Sequence, residues 1–322
     1  MTTKKVFVVT HQRGFEADPI IDILVQEEIP VFRFNGNDDQ NSSQISLMIR
    51  EDGLDVSFCC DGSEIRQSEI GVGWCQQLPP YLGQASSIEE SLQRENLWEA
   101  QRAAYELLGN IPWLNSPQKV ISASCKPWQL FQAMSLGFRI SRTIISNKPE
   151  DIRRFCLKQA TIAKNLATPW VIEKGGEVNA AYTQLVKPEW LEDDDELAFC
   201  PVIYQEFCKR RRDYRVTAIA GKFFAVCCEP KSGQEEDIRL DSTTGEAYRP
   251  CELESPILAK LQQLMDRLGL QYCGADFMED EEGNLYFLEM NTCGAWWWVD
   301  DLYGGAIGRA IADYLKSQLA TV

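Results

Sequence analysis

The sequence has a single histidine, His11, among its 322 residues. Serine and cysteine triads use an imidazole as their base, and zinc sites are usually built from histidine and cysteine. The twelve cysteines do not replace histidine, because no two of them stand in C-x-x-C spacing. The sequence therefore predicts neither a triad enzyme nor a zinc protein, and we expect free buried thiols in a reducing cytoplasm.

Positive charge is also scarce, and long apolar runs are missing. The chain has 32 lysines and arginines against 48 acidic residues, so its net charge is −16. Such a chain repels the phosphates of nucleic acid and anionic membrane surfaces. No apolar run reaches the roughly 20 residues that span a bilayer. We expect a cytoplasmic protein that binds neither nucleic acid nor membrane, and a bound nucleotide would need a local cluster of cations.

The order of apolar segments and turn residues predicts three lobes, at residues 1–118, 119–204 and 205–322. The first lobe opens as a βαβ unit whose helix starts at Asp18-Pro19. The turn after its first strand has no G-x-G-x-x-G motif, so dinucleotide binding is not predicted there. Strands and helices alternate in the second lobe, and the third is rich in hairpins. The predicted class is an open α/β lobe followed by α+β lobes.

Three serines are predicted to cap helices. Ser87 with Glu90 forms a capping box before a long helix. Ser124 stands before KPWQLFQAMSL, and Ser255 stands before a proline and a helical pattern that ends at Gly269.

Residues 272–291, YCGADFMEDEEGNLYFLEMN, predict a hairpin around Glu282-Gly283. Counting outward from this turn sets Asp276 opposite Glu289, and Asn291 shares the face of Glu289 because side chains alternate. Like charges directly opposite each other are destabilising. A magnesium ion, which takes carboxylate and phosphate oxygens, would relieve the repulsion. The alternative is a pair of unrelated surface acids on an amphipathic hairpin.

The hairpin ends in LEMNTCGAWWWVDD, an E-x-N pair followed by a glycine and an aromatic cluster. This motif, with SCKPWQL, TIAKNL and YQEFC before it, resembles the ATP-grasp superfamily and, more narrowly, the graspetide ligases that cyclise microviridin-type peptides. The resemblance runs from about Ser116 to the C-terminus and more weakly over the first lobe. It implies an ATP-grasp fold with an N-terminal open α/β (pre-ATP-grasp) lobe, a central small α+β lobe and a C-terminal antiparallel-sheet lobe.

The resemblance also implies a site for ATP and two Mg²⁺ ions. The implied metal ligands are Asp276, Glu289 and Asn291. The implied ATP-binding residues are Lys126, Lys164, Asp213 and a hinge whose backbone reads the adenine edge, Gln205, Glu206, Phe207 and Cys208. Arg215 and Arg239 are implied to neutralise an acyl phosphate, since arginine suits bidentate contacts with such groups. Taken alone, each lysine is more often a surface residue and YQEFC an ordinary strand.

The implied reaction joins Asp or Glu side chains of a ribosomal precursor peptide, with a leader and an acidic core, to Ser, Thr or Lys as ω-esters or ω-amides. The basic run Lys209, Arg210, Arg211 and Arg212 would attract an acidic peptide, or else is a solvated loop. Trp297 is expected to face away from Trp296 and Trp298 if the segment is extended, and it either packs in a core layer or docks the peptide.

Other functions stay open at this point. One is an amino-acid or protein-tail ligase similar to the ribosomal-protein glutamate ligases. Another is an inactive ATP-grasp protein that only binds peptide. Thr292 stands where many relatives have proline, a departure that bears on the substrate rather than on the ATP chemistry. A homodimer is also left open.

Overall fold

The computed structural model describes residues 3–36, 43–78, 87–166, 170–172, 178–180, 183–230 and 247–321. The strands are β1 (Lys5–Thr10), β2 (Val31–Asn35), β3 (Ser43–Arg50), β4 (Gly53–Cys60), β5 (Ser63–Arg66), β6 (Ile70–Cys75), β7 (Trp113–Leu114), β8 (Thr143–Ser146), β9 (Thr161–Lys164), β10 (Trp170–Ile172), β11 (Val178–Ala180), β12 (Gln184–Leu185), β13 (Val202–Glu206), β14 (Arg210–Ile219), β15 (Lys222–Cys228), β16 (Arg249–Pro250), β17 (Tyr272–Asp280) and β18 (Leu285–Asn291). The helices are α1 (Asp18–Gln26), α2 (Ile88–Leu107), α3 (Pro117–Ala123), α4 (Lys126–Ser135), α5 (Pro149–Cys156), α6 (Asp194–Ala198), α7 (Ser255–Leu268), α8 (Trp297–Leu302) and α9 (Ala306–Leu319).

The N-terminal part is built on a parallel sheet with the strand order β2-β1-β6-β7. Every residue of β6 is buried, as expected for a strand covered on both faces. Helix α1 carries a proline in its first turn, and its Ile20 and Leu24 pack with Val6 and Val8 of β1. The predicted βαβ opening is confirmed. An antiparallel sheet, β3-β4-β5, lies in the chain between β2 and β6.

A small antiparallel sheet with the order β12-β9-β13-β8 follows in the middle of the chain. Helices α5 and α6 supply Ile152 and Leu197 to a core that also contains Tyr204 of β13. The alternation of short strands and helices predicted for the second lobe is confirmed here. Strands β10 and β11 form a separate antiparallel pair.

The C-terminal sheet has five antiparallel strands in the order β16-β15-β14-β17-β18. One face packs on α7, whose Leu261, Leu264 and Met265 are fully buried. The same core takes Leu130 and Ala133 from α4. Residues that the sequence assigns to the central lobe (119–204) therefore contribute, through α3 and α4, to the core of the C-terminal sheet.

Two helix starts differ from the predictions. Ser124 ends α3, a helix that the sequence analysis missed, and its hydroxyl donates to the Val120 carbonyl at 2.6 Å, so the cap of α4 is Cys125. Ser255 is already the first residue of α7, and the cap is Glu254. The Ser87 cap of α2 is confirmed, because its hydroxyl accepts from the Glu90 amide at 3.1 Å.

All twelve cysteines are free, but Cys125 and Cys200 are exposed, so the expectation that the thiols are buried holds only for part of them. In the part of the chain that the structure describes, no helix has both the length and the apolar character needed to cross a membrane.

Candidate active site

The hairpin β17–β18 brings the three predicted metal ligands together. Asp276 pairs with Glu289 in the ladder, and Asn291 lies two residues further along β18, on the same face. The Asn291 amide nitrogen donates to Oδ2 of Asp276 at 3.0 Å. The predicted register is confirmed, and two carboxylates and one amide converge at one end of the hairpin.

The turn of this hairpin is not the predicted one. The ladder closes between Asp280 and Asn284, so the loop is centred on Glu282, and Gly283 takes the left-handed conformation with φ of 82°. A bulge then shifts the register between Asp276 and Phe277, because Leu288 has no partner on β17. The two deviations cancel, and this is why counting from the wrong centre still gives the correct Asp276–Glu289 pair.

Each carboxylate of the pair has its own cation. Arg215 of β14 lies opposite Asp276 in the sheet and donates through one Nη1 to both carboxylate oxygens at 2.8 Å. Lys126, at the first residue of α4, places its Nζ 3.1 Å from Glu289 Oε2. Burial raises the pKa of Asp276, the Arg215 guanidinium opposes this, and Glu289 adds to it; the pKa is raised overall.

Two glycines make room for the Arg215 guanidinium. A Cβ at Gly274 would lie 2.8 Å from Arg215 Cζ, and a Cβ at Gly294 would lie 3.0 Å from its Nη2. Arg215 is only 9% exposed, and its Nη2 also donates to the Ala295 carbonyl at 3.3 Å. The guanidinium is therefore clamped between strand β17 and the loop after β18.

Gln129 holds α4, and with it Lys126, against β18. Its side chain is 2% exposed and bonds both the carbonyl of Met290, at 2.7 Å, and the amide of Met290, at 2.9 Å. Gln129 is not among the residues predicted from the sequence. A glutamine on the apolar face of a predicted helix was the available signal, because a buried amide needs partners outside its own helix.

The predicted hinge lies where β13 leaves the small sheet and the chain enters β14. The Glu206 and Phe207 amides donate to carbonyls of neighbouring segments at 2.9 and 2.8 Å. Gln205 is 3% exposed, and its side chain donates to the Thr143 hydroxyl at 2.9 Å. The side chain of Gln205 thus has a structural partner, and the Cys208 thiol lies 3.8 Å from the Ser141 hydroxyl.

The segment before β8 ties this hinge to strand β18. The Arg139 carbonyl accepts from the Phe287 amide at 2.9 Å, and the Arg139 guanidinium lies 5.5 Å from the centre of the Tyr286 ring. Tyr286 precedes Glu289 by three residues, which is roughly 10 Å along a strand. The hinge and the carboxylate pair therefore lie at opposite ends of the short strand β18.

Two other predicted ATP-site residues, Lys164 and Asp213, lie on strands β9 and β14. Lys164 ends β9 and lies opposite Ile203 of β13 in the small sheet. Asp213 is buried on β14, on the face of Arg215, and accepts from Arg210 at 2.7 Å. Arg239 lies outside the described residues.

The basic run is a strand start rather than a solvated loop, since Arg210 to Arg212 begin β14. Its side chains form ion pairs with acids of the same or neighbouring strands and turns. The pairs are Lys209–Glu281 at 2.7 Å, Arg210–Asp213 at 2.7 Å, Arg211–Glu279 at 3.0 Å and Arg212–Glu229 at 3.0 Å. The attraction of this run for an acidic peptide is therefore weakened by its own partners.

The tryptophan cluster is helical, not extended. Trp296 is the cap of α8 and is 3% exposed in the core, whereas Trp297 is 45% exposed. Trp298 packs on Tyr248, with ring centroids 5.0 Å apart. The expected core role thus fits Trp296. Trp297 instead meets the exposed Phe15 edge to face, at 6.2 Å.

The chemistry of the donor set limits what the site can hold. Among the described residues, no group of three or more His, Cys, Asp or Glu side chains is placed to hold a metal ion. Two carboxylates and one amide oxygen fit magnesium only when phosphates complete its coordination. The residues therefore fit a nucleotide-dependent magnesium site and not a closed protein cage.

Solved structures similar to this one span nearly the whole chain. A Chryseobacterium gregarium RiPP-associated ATP-grasp ligase, in complex with ADP and a leader and core peptide, has a TM-score of 0.85 at 22% identity over 98% of this chain and 97% of that chain. The macrocyclase MdnC from Microcystis aeruginosa, bound with the precursor peptide MdnA, has a TM-score of 0.83 at 22% identity over 97% of this chain and 99% of that chain.

A more distant structure, the D-cycloserine synthetase DcsG, has a TM-score of 0.59 at 13% identity, over 96% of this chain and 99% of that chain. No family model matches the sequence, and no curated protein matches it. The structural likeness establishes the architecture: the chain has the ATP-grasp fold, with a parallel N-terminal sheet and antiparallel sheets after it.

Proposed function

We propose that the protein is an ATP-dependent carboxylate ligase that modifies a ribosomal precursor peptide. It joins Asp or Glu side chains of the peptide to Ser or Thr hydroxyls or to a Lys amine, and releases ADP and phosphate. The observation that carries the proposal is the Asp276–Glu289 pair, with a cation on each carboxylate, on an ATP-grasp fold. Such a pair would attract a divalent cation as soon as phosphates arrive with it.

Nucleotide binding follows from the two ends of β18. The Glu206 and Phe207 amides already donate to carbonyls of neighbouring segments. The adenine edge would therefore meet the hinge through the Phe207 carbonyl and the Cys208 amide. The phosphates would lie beside Glu289. There the Lys126 ammonium, which now pairs with the Glu289 carboxylate, would bind a phosphate oxygen instead. Lys164 of the small sheet is proposed as the second phosphate-binding lysine, and Asp213 as a further residue of the ATP site.

Magnesium would be held by Asp276, Glu289 and Asn291, and two ions are proposed. Asn291 donates its amide nitrogen to Asp276, so its amide oxygen is left for a metal. Bound there, magnesium would neutralise charge between these carboxylates and the nucleotide phosphates.

The chain's own residues then position the reacting groups. A peptide carboxylate attacks the γ-phosphate to give an acyl phosphate and ADP, and a hydroxyl or amine displaces phosphate from it. Arg215, clamped beside Asp276, is proposed to hold the acyl phosphate, with Arg239 as a second cation. No enzyme nucleophile is required, which agrees with a chain that has one histidine.

A precursor peptide is the proposed substrate because the structures reported above include ligases solved with leader and core or precursor peptides. On this chain, the exposed side chains of Trp297 and Phe15 meet edge to face and offer an apolar contact. The Lys209 to Arg212 run is a second proposed contact, and there an acidic peptide would have to replace the acids that now pair with it.

The test uses the purified protein, ATP, Mg²⁺ and a short acidic peptide that also contains Ser, Thr or Lys. Mass spectrometry of the peptide should show the loss of one water for each link, matched by one ADP. A gain in mass by an added residue would contradict cyclisation and favour the amino-acid ligase. Peptide binding without any ADP would indicate an inactive binding protein.

A further inference from the structure

A pair of hydroxyl groups joins the end of β18 to the segment that carries Lys126. The Thr292 Oγ1 and Ser124 Oγ atoms lie 3.1 Å apart. Thr292 directly follows Asn291, a proposed magnesium ligand. Ser124 stands two residues before Lys126, a proposed phosphate-binding lysine. The hydroxyl pair therefore connects the main chain beside the metal ligand with the main chain beside the lysine.

The direction of this hydrogen bond follows from the other partners of the two hydroxyls. A serine hydroxyl has one proton, and Ser124 donates it to the Val120 carbonyl at 2.6 Å. Ser124 Oγ is then left as an acceptor, so the Thr292 hydroxyl donates to it. Thr292 Oγ1 also lies 3.5 Å from the Val120 carbonyl oxygen. Both of these acceptors belong to the end of α3.

Thr292 is the buried partner of the pair. It is only 4% exposed, and its carbonyl accepts from the Asn115 side chain at 2.8 Å. Ser124 is exposed, so solvent reaches this residue. If the end of α3 moved away, the Thr292 hydroxyl would stay buried without these acceptors, which is costly. The buried hydroxyl thus holds the end of α3 against the residue after β18.

Two other links connect the same segments. Lys126 Nζ lies 3.1 Å from Glu289 Oε2, and Gln129 bonds the main chain of Met290 at 2.7 and 2.9 Å. The proposed function breaks the first link, because Lys126 exchanges Glu289 for a phosphate oxygen. The start of α4 is then held against β18 by Gln129 on one side of Lys126 and by Ser124 on the other.

The start of α4 has little support from its own cap. The cap residue Cys125 is exposed, and its side chain makes no hydrogen bond to the first turn of the helix. Lys126 comes directly after it. The position of the lysine therefore depends on the contacts that anchor the chain before and after it, and Ser124 supplies the contact before it.

We infer that Thr292, acting through Ser124, is a positioning residue that keeps Lys126 within reach of the nucleotide phosphates after the lysine has left Glu289. This inference rests on the proposed function. Thr292 itself touches neither nucleotide nor metal. It fixes the separation of Lys126 and Asn291, so that one phosphate chain meets both, and this pre-organisation strengthens the binding of ATP.

Four variants remove or keep single hydroxyls. Thr292→Val has nearly the shape of threonine without the hydroxyl, Thr292→Ser keeps the hydroxyl, and Ser124→Ala removes the acceptor. Ser122→Ala is the matched control, because Ser122 is exposed on α3 and donates to the Lys119 carbonyl of its own helix at 3.3 Å. Since Ser124 is exposed, Ser124→Ala keeps the test available if Thr292→Val does not fold.

Calorimetric titration with ATP in the presence of Mg²⁺ measures the effect. Thr292→Val and Ser124→Ala should each weaken ATP binding by about fivefold, the equivalent of one neutral hydrogen bond. The double variant should be no weaker than Thr292→Val alone, because both changes remove the same bond. Thr292→Ser and Ser122→Ala should bind as wild type.

A second background separates positioning from a general structural role. In Lys126→Gln protein, Thr292→Val should cause no further loss of ATP affinity, because the threonine acts through the lysine. In the ligase reaction with the acidic peptide, Thr292→Val should raise the KM for ATP and leave kcat unchanged, as expected when only ground-state binding is lost.

Wild-type affinity in both Thr292→Val and Ser124→Ala would overturn the inference. A loss of the same size in the Lys126→Gln background would overturn it as well, since Thr292 would then act independently of the lysine. An equal loss in Thr292→Ser would assign the effect to shape and not to the hydroxyl. If wild-type protein bound no ATP with Mg²⁺, the proposed function itself would fail, and this inference would fail with it.

Discussion

Replacing Glu16 by glutamine should stabilise the protein above neutral pH and leave it nearly unchanged at pH 5. In the folded chain burial raises the pKa of Glu16 to about 7, whereas an exposed glutamate has 4.5. Between these values the unfolded chain binds fewer protons than the folded one, so stability falls as pH rises through this window. At pH 8 the full difference corresponds to about 3 kcal/mol of lost stability. The Trp296 amide donates to the Glu16 carboxylate, and glutamine can keep this bond without the buried charge.

Thermal unfolding of wild-type protein and Glu16→Gln at pH 5 and pH 8 measures this. We expect the variant to melt on the order of 5 °C higher at pH 8, with a small difference at pH 5. Glu64→Gln, an exposed glutamate on the same lobe, should show no such pH dependence. A Glu16→Gln variant that is less stable than wild type at pH 8, or equally shifted at both pH values, would refute the reasoning.

Two further substitutions probe the supports of the site. The Asn115 side chain donates to the carbonyls of Tyr272 and Thr292 and accepts from the amides of Gln271 and Tyr272. Asn115→Ala should therefore lower the free energy of unfolding by about 3 kcal/mol or more. Because Asn115 has a φ of 52°, Asn115→Gly should lose about 1 kcal/mol less, since glycine tolerates the left-handed backbone. In denaturant melts, a loss under about 1 kcal/mol for Asn115→Ala would contradict this. Lys126→Gln breaks a partly exposed ion pair with Glu289, so the free energy of unfolding should change by less than about 1 kcal/mol. The affinity for ATP, measured by calorimetry, should fall about tenfold. An unchanged affinity would show that Lys126 does not bind the phosphates.

The local signals in the sequence were sufficient for much of the fold and for the hairpin. Alternation along β17 and β18, with a glycine in the turn, predicts a hairpin, but the Asp276–Glu289 pair follows from it only because the error in the turn centre and the bulge at Leu288 cancel. The bulge at Leu288 has no such signal. It depends on how the hairpin packs against β14 and α4, and that information is not local.

The predicted and observed helix ends differ as well. Ser124 and Ser255 have the side chains of N-caps, but the adjacent residues Cys125 and Glu254 take those positions, a difference of one residue that is within the usual uncertainty of helix ends. The run of three tryptophans fits a strand period in the sequence, whereas Trp297 opens a helix in the structure.

The missed residues act across long separations in the chain. Gln129 bonds Met290, and Glu16 meets the Trp296 amide and Arg215. Nothing near Glu16 in the sequence reveals that a loop some 280 residues later covers it. Such pairs become visible only when the sheets are assembled.

The most direct test of the account is the Mg²⁺ dependence of ATP binding, measured by titration calorimetry on wild-type protein, Glu289→Gln and Glu282→Gln. Glu282 is exposed in the turn of the same hairpin and controls for the loss of a charge. We expect Mg²⁺ to strengthen ATP binding in wild type and Glu282→Gln, and we expect Glu289→Gln to lose this effect or to need at least about tenfold more Mg²⁺. The same Mg²⁺ dependence in all three proteins would contradict a metal site on the hairpin.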